Sequence, residues 1–255
     1  MHKPYNVYHN LGYWFMLFIV LVVAGFYSSY FTIFFEPKAS IIHIHFSLMM
    51  LWIGMLITQP FLIKYKKAKL HRKMGKVSYV LFPLVAITGF LLIRYSYYQI
   101  LNNPLRQNEL GVNNLDPDQL IKFASWFQAI AVFYLFLFVG FYVMAIYHRR
   151  KSSVHARYMV ASALTLLGPT VDRIFFFGFG LQTFPGQIPI ETAAFFIADF
   201  TLAVLLYRDY KNGLPTKTLL ICLTVFVAAQ VLYFILPQRD GWQTFMQLIM
   251  YPTQY

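Results

Sequence analysis

The sequence predicts an all-α, polytopic membrane protein: a bundle of seven transmembrane helices with a cytoplasmic N-terminus and an external C-terminus. Three observations carry this. The chain is 59% hydrophobic and 12% charged, with a mean hydropathy of +0.56, which no ordinary soluble domain matches. Its apolar residues gather into seven runs of roughly 20 residues, the length a helix needs to cross ~30 Å of hydrocarbon. Fifteen of the 21 Lys and Arg residues lie in alternate gaps between those runs.

The runs are 11–34, 41–63, 77–98, 123–147, 158–182, 189–207 and 218–237. The gap Lys64–Lys76 holds seven cationic residues, His148–Arg157 four and Arg208–Lys217 three, and Lys3 precedes the first run. The other gaps hold Lys38, Arg106, Lys122 and Arg239, and they collect Glu36, Glu109, Asp116, Asp118 and Asp240. Cationic loops stay on the cytoplasmic side, so this alternation sets the orientation. The net charge of +12 is then topogenic and calls for no nucleic-acid partner. The expected partner is the lipid bilayer of a bacterial-type cytoplasmic (inner) membrane.

The first run is too long for a signal peptide and no small-residue cleavage site follows it, so it is expected to remain as a helix. Continuous rather than alternating runs argue against a β-barrel. Cys222 is the single cysteine, which leaves no disulfide framework and no thiolate metal site. Tyr13, Trp14, Tyr95, Tyr97, Tyr98, Trp126 and Trp242, near run ends, suit interfacial belts. The whole chain, 1–255, reads as one helical domain. Asn102–Lys122 reads as a folded outer loop and Trp242–Met250 as an interfacial segment before the tail Tyr251–Tyr255.

Seven histidines are the natural starting point for chemistry. His2 and His9 precede the first run. His43 and His45 open the second helix, but residues two apart lie ~200° apart around the axis and cannot share one metal. His45 is the inward one, on a stripe with Met49, Trp52 and Gln59. His71 and His155 each begin a helix rising from the basic side. Beside them lie the small residues Gly75, Ser78 and Gly89, and Ser162 and Thr165, which suit a flat macrocycle or plain helix packing. His148 is nearby. A further constellation comprises Arg94, Asp172, Arg173, Glu191 and Asp199 at membrane depth. An unpaired charge there costs ~2.5–3.5 kcal/mol, so Arg173 is expected to pair with Asp172 or Asp199.

The segment from His43 to Leu92, with its Leu70-His71-Arg72 and Gly75 to Tyr79, precedes a helix that begins His155, Arg157, Tyr158, Met159 and carries Arg173. This order of elements, with His45 and Gln59 ahead of it, resembles domain-of-unknown-function family 2306 of bacterial membrane proteins over about 43–180; the resemblance implies no established activity. The layout is also similar to the ascorbate-reducing b-type cytochromes, which hold two haems in a four-helix core. That resemblance implies axial-ligand positions at His45, His71 and His155, but the fourth run starts with Trp126 and Gln128 and no His. An outer haem would lack a ligand there, and only His71 with His155 could hold haem b.

These groups point to an integral membrane protein with a polar intramembrane site. Its redox version uses b-type haem or a quinone for electron transfer. The alternatives are a cofactor-free transporter or binding protein for a small molecule, anionic in the case of an Arg-lined site, and a structural or assembly protein whose charges hold helices together. The topology is testable directly: single cysteines at Lys67 and Asn113 are expected to label with a membrane-impermeant maleimide from opposite sides, and labelling of both from one side would refute the charge-based orientation.

Overall fold

Pro and Gly decide where the long apolar runs bend or stop being helix. The computed structural model describes residues 8, 10–109, 111, 114–186 and 188–250; His2, Lys3, His9 and the tail Tyr251–Tyr255 lie outside the described residues. Its elements are α1 (Leu11–Phe26), α2 (Ser40–Lys64), α3 (Ala68–Glu109), α4 (Pro117–Phe127), α5 (Ala129–Tyr147), α6 (Ser152–Leu164), α7 (Leu167–Arg173), α8 (Glu191–Lys211), α9 (Lys217–Ile235) and α10 (Asp240–Met250). Between α7 and α8, β1 (Thr183–Phe184) pairs antiparallel with β2 (Ile188–Pro189) in a short hairpin.

Among the described residues, six helical stretches are long and apolar enough to cross a membrane: Leu11–Phe31, Ser40–Lys64, Ala68–Leu105, Pro117–Tyr147, Ser152–Gly178 and Lys217–Gln238. The chain is therefore an all-α, multi-pass membrane protein. The run at 189–207 is α8, of similar length but interrupted by Glu191, Asp199, Arg208 and Asp209.

The fifth run is bent. Pro169 has no N–H to donate to the carbonyl of Thr165, and its ring crowds that carbonyl, so the helix breaks at Thr165–Leu166 between α6 and α7. Asn102–Lys122 is mostly helix rather than loop. Leu105 and Gln107 carry α3 onward as good helix formers, and Asp116 starts α4 by accepting from the Asp118 N–H at 3.1 Å, with Pro117 at the first helical position. The segment Trp242–Met250 is helical as well. The Trp242 indole donates to the Ser125 carbonyl at 2.9 Å and Tyr98 donates to the Met250 carbonyl, which docks α10 on α4 and α3.

The packing closes into a ring. α1 lies against α2 and α7, α2 against α3, α3 against α5, α5 against α6 and α9, and α8 between α7 and α9. The rod formed by α6, α7 and the π-helical turn Ile174–Gly178 is 61% buried over its apolar window, against 22% for the spans Ser40–Lys64 and Lys217–Gln238. That rod is the centre, and the others are perimeter helices whose exposed Leu51 and Val231 suit contact with lipid. Around the rod, Phe82 stacks on Tyr142 at 3.6 Å and Trp52 packs edge-on to Phe82, Phe138 and Tyr142.

Two glycines set how closely α7 is approached. A Cβ on Gly25 of α1 would sit 2.4 Å from the Thr170 carbonyl oxygen, and one on Gly168 would sit 2.1 Å from the Tyr134 ring. Small residues allow such backbone contact between membrane helices.

The basic end of the bundle is clasped by an ion pair missed in the sequence. Arg157 on α6 and Asp209 on α8 are 2% and 0% exposed, with Nη2 and Nε of the arginine 2.6 and 2.7 Å from one carboxylate oxygen. Arg157 also donates to the Ser153 carbonyl at 2.8 Å. Tyr8 covers the pair: its ring lies 5.5 Å from the guanidinium and its hydroxyl donates to Asp209 at 3.4 Å. Burial pushes the Tyr8 hydroxyl above its ordinary pKa, so it stays a neutral donor. Removing one partner strands a buried charge, at a cost of about 3–5 kcal/mol. Arg157→Leu and Asp209→Leu are each expected to lower thermal stability in detergent sharply, and the double variant to recover much of the loss; single losses that simply add in the double variant would show that the pair is not coupled.

Candidate functional site

A partly open cavity of about 310 Å³ lies between α1, α2, α3 and α7. The π-helical turn Tyr27–Phe31 that continues α1 supplies Ser29 and Tyr30 to its wall, and Arg173 closes α7 just before the turn Ile174–Gly178. Such turns widen the helix locally and re-aim side chains. Phe18, Val22, Phe46, Met49 and Ile53 make the walls apolar. From α3, Tyr95, Ser96 and Gln99 reach in. The volume is at the lower end of what a small-molecule pocket encloses.

Two groups give the cavity its chemistry. Arg173 is half-buried, and its Nε is enclosed without a hydrogen-bond partner. The expected carboxylate partner is absent: no ion pair joins Arg173 to Asp172 or Asp199 among the described residues. The guanidinium lies instead 4.8 Å from the Phe26 ring centre and 5.8 Å from that of Phe177, so aromatic faces carry part of the role expected of a carboxylate. The cause is helical geometry. Asp172 leaves the axis ~100° away from Arg173, and Asp199 accepts a hydrogen bond from Gln230 at 3.0 Å on α9.

His45 is the second group. Its Nδ1 is 3.0 Å from the Thr88 hydroxyl, which itself donates to the Leu84 carbonyl at 2.7 Å. A hydroxyl has one hydrogen, so Thr88 accepts from His45 and Nδ1 carries the proton of the neutral imidazole. Nε2 is left as an acceptor. The expected divergence of the two outer histidines holds, since His43 meets Tyr30 at 2.9 Å while His45 lines the cavity. The Ser29 hydroxyl is enclosed without a partner as well. Cavity-facing positions 92, 95, 96 and 99 leave Arg94 on another face of α3, half-buried and outside the lining.

Behind Arg173 lies a separate polar layer. Glu191 and Tyr233 lie within electrostatic reach of one another, and Tyr134 is within electrostatic reach of Asp172, Glu191, Tyr233 and Asp199. The five charges grouped in the sequence thus divide: Arg173 lines the cavity, Asp172, Glu191 and Asp199 lie within electrostatic reach of Tyr134 on α5, and Arg94 lies outside the cavity lining. Tyr134, Tyr233 and Gln230 went unrecognised because residues of these types in apolar runs read as helix packing.

His71 and His155 do come together at the basic end, with ring centres 6.5 Å apart and planes at 82°. The His155 Nδ1 is 2.8 Å from the Ala145 carbonyl, which can only accept, so its lone pair is on Nε2. The His71 Nδ1 and the Gln59 Oε1 are enclosed without partners, and Gln59 donates to the His71 carbonyl at 3.4 Å. One metal held by two opposed imidazoles at ~2 Å would place the ring centres roughly 6 Å apart, so the separation suits shared ligation. Gly75 leaves room beside the pair, its missing Cβ having nothing nearer than Gln59 at 3.9 Å. The other small residues are committed elsewhere: Ser78 to Tyr142 at 2.7 Å and Ser162 to the Phe138 carbonyl at 3.3 Å. His45 lies toward the opposite end of α2 from Gln59 and does not join them, and His148 bonds its own Met144 carbonyl at 2.9 Å.

The chain thus has a mixed-polarity cavity and a histidine pair at different depths, and no protein-family model, curated protein or solved structure matches it.

Proposed function

We propose that this protein binds a small amphipathic molecule with an anionic head within the membrane, in the cavity between α1, α2, α3 and α7. The observation that carries the reading is Arg173: a guanidinium within a membrane-length helical stretch, lining a cavity and bonded to no carboxylate among the described residues. A buried cation without a counter-charge is costly, and a bound anion would supply that counter-charge. Phe18, Val22, Phe46 and Met49 would surround an alkyl or ring body, and Ser29 and Gln99 offer further hydrogen bonds to the head. In this reading α8 is a seventh span, its acids facing inward, and the basic loops lie in the cytoplasm of a bacterial-type cell.

A short-chain alkyl sulfonate, ionised at every working pH, is a suitable probe. It is expected to raise the melting temperature of the detergent-solubilised protein, whereas an alkyltrimethylammonium of equal chain length is not. Arg173→Gln should abolish the sulfonate effect. Equal responses to both probes, or an unchanged response in the variant, would refute the reading.

A second reading draws on the proximity of the His71 and His155 rings. These residues would hold a b-type haem, which when bound would supply one-electron transfer, with Lys67 and Lys73 near enough in sequence to meet its propionates. Haem-replete expression is then expected to give a red protein whose absorption bands sharpen on dithionite reduction and vanish in His155→Ala. A colourless protein would discard this reading and leave the first intact.

A further inference from the structure

The turn between α2 and α3 carries charge that nothing in the chain offsets. No acid occurs between Glu36 and Glu109, and the three basic gaps hold one acid, Asp209, which is buried against Arg157. Lys64 is engaged, donating to Asn10 at 3.0 Å and lying over the Tyr13 ring. Lys67, Lys69 and Lys73 are exposed, and among the described residues their side chains make no hydrogen bond or ion pair. Lys69 and Lys73 stand one turn apart on one face of α3, where like charges repel. Both lie near its N-terminus, the positive end of the helix dipole, and its first turn holds no acid.

The three lysines and Leu70 line an open groove of about 480 Å³. Lysine stems and Leu70 make its wall apolar, as long cationic side chains do when their heads seek water or an anion. Along α3 from Lys73, the residues Val77, Val80, Leu84, Ile87 and Leu91 recur at helical spacing, each 40% to 66% exposed. The stripe from Val77 to Leu91 rises ~21 Å, against ~15 Å for one leaflet of a ~30 Å hydrocarbon core.

We infer that the groove and the stripe together bind an anionic phospholipid, its phosphate among Lys67, Lys69 and Lys73 and an acyl chain along Val77 to Leu91. The two features select this occupant between them. A free phosphate ester would use the lysines and leave the stripe bare. A zwitterionic lipid would use the stripe but bring a cation of its own to the lysines. The site lies at the opposite end of α2 from His45 and stands independently of the anion reading of the cavity.

Native mass spectrometry of the intact, detergent-solubilised chain, titrated with phosphatidylglycerol and with phosphatidylcholine of the same acyl chains, tests the inference. The native chain is expected to bind phosphatidylglycerol several-fold more tightly. Lys67→Gln, Lys69→Gln and Lys73→Gln are each expected to weaken that preference about fivefold at most, and the triple variant to abolish it; Lys64, Lys66, Arg72 and Lys76 remain to hold the topology. The variant Arg149→Gln, Arg150→Gln, Lys151→Gln removes equal charge from the neighbouring basic loop and is expected to keep the preference. Excess glycerol 3-phosphate, a head without chains, is expected not to displace the lipid. Equal binding of the two lipids would overturn the inference. So would an equal loss in both triple variants, which would reduce the effect to net charge, or displacement by glycerol 3-phosphate, which would make the groove a site for free phosphate esters.

Discussion

Hydrocarbon does not solvate charge, and the architecture follows from how each buried charge is accommodated. Three solutions occur in this chain. Arg157 and Asp209 neutralise one another at the basic end, under the ring of Tyr8. Asp199 accepts a hydrogen bond from Gln230 on α9, and Glu191 lies within electrostatic reach of Tyr233 on the same helix. Arg173 rests against two aromatic faces and opens into a cavity. The first two close a local account with groups of the protein itself. The third leaves a guanidinium that lines a cavity with no carboxylate bonded to it among the described residues, and that asymmetry supports the binding reading over plain helix packing.

The backbone makes the asymmetry possible. Pro169 breaks the central rod and so sets the direction in which α7 carries Asp172 and Arg173. Gly25 lets α1 come against the Thr170 carbonyl, and Gly168 lets Tyr134 cross α7, so both neighbours of the arginine turn are held by close contact rather than by long side chains. The two π-helical turns flank the same region and place Ser29 and Tyr30 opposite Arg173. A bundle of straight helices with larger residues at these positions would hold the same charges farther apart.

Six of the seven expected membrane helices were legible in the sequence because hydropathy acts over whole runs, whereas the run at 189–207 carries too many charges along α8 to stand out as a span. The proximity of His71 to His155 was legible too, since each begins a helix on the basic side. Side-chain partners were less so. Asp209 sits between Arg208 and Lys211, so in a string of residues it reads as one acid diluted in a solvated loop, whereas on the helix it turns inward to Arg157. Arg173 beside Asp172 suggests a pair, yet consecutive residues diverge on a helix. Asn102–Lys122 has the composition of a loop, but its helix-favouring Leu105 and Gln107 continue α3, and the Asp116–Pro117 start signal shortens the gap. Tyr134 and Gln230 gave no signal, because their role depends on which helices become neighbours.

The central claim is that Arg173 is the anchor for a ligand rather than a structural charge. Native mass spectrometry of the protein extracted gently from membranes tests it most directly. The account predicts a bound small molecule of anionic character on the native chain, released on activation and missing from Arg173→Gln, while the variant keeps its folded charge-state distribution. A native chain free of any adduct other than bulk phospholipid, or an adduct retained equally by the variant, would contradict it.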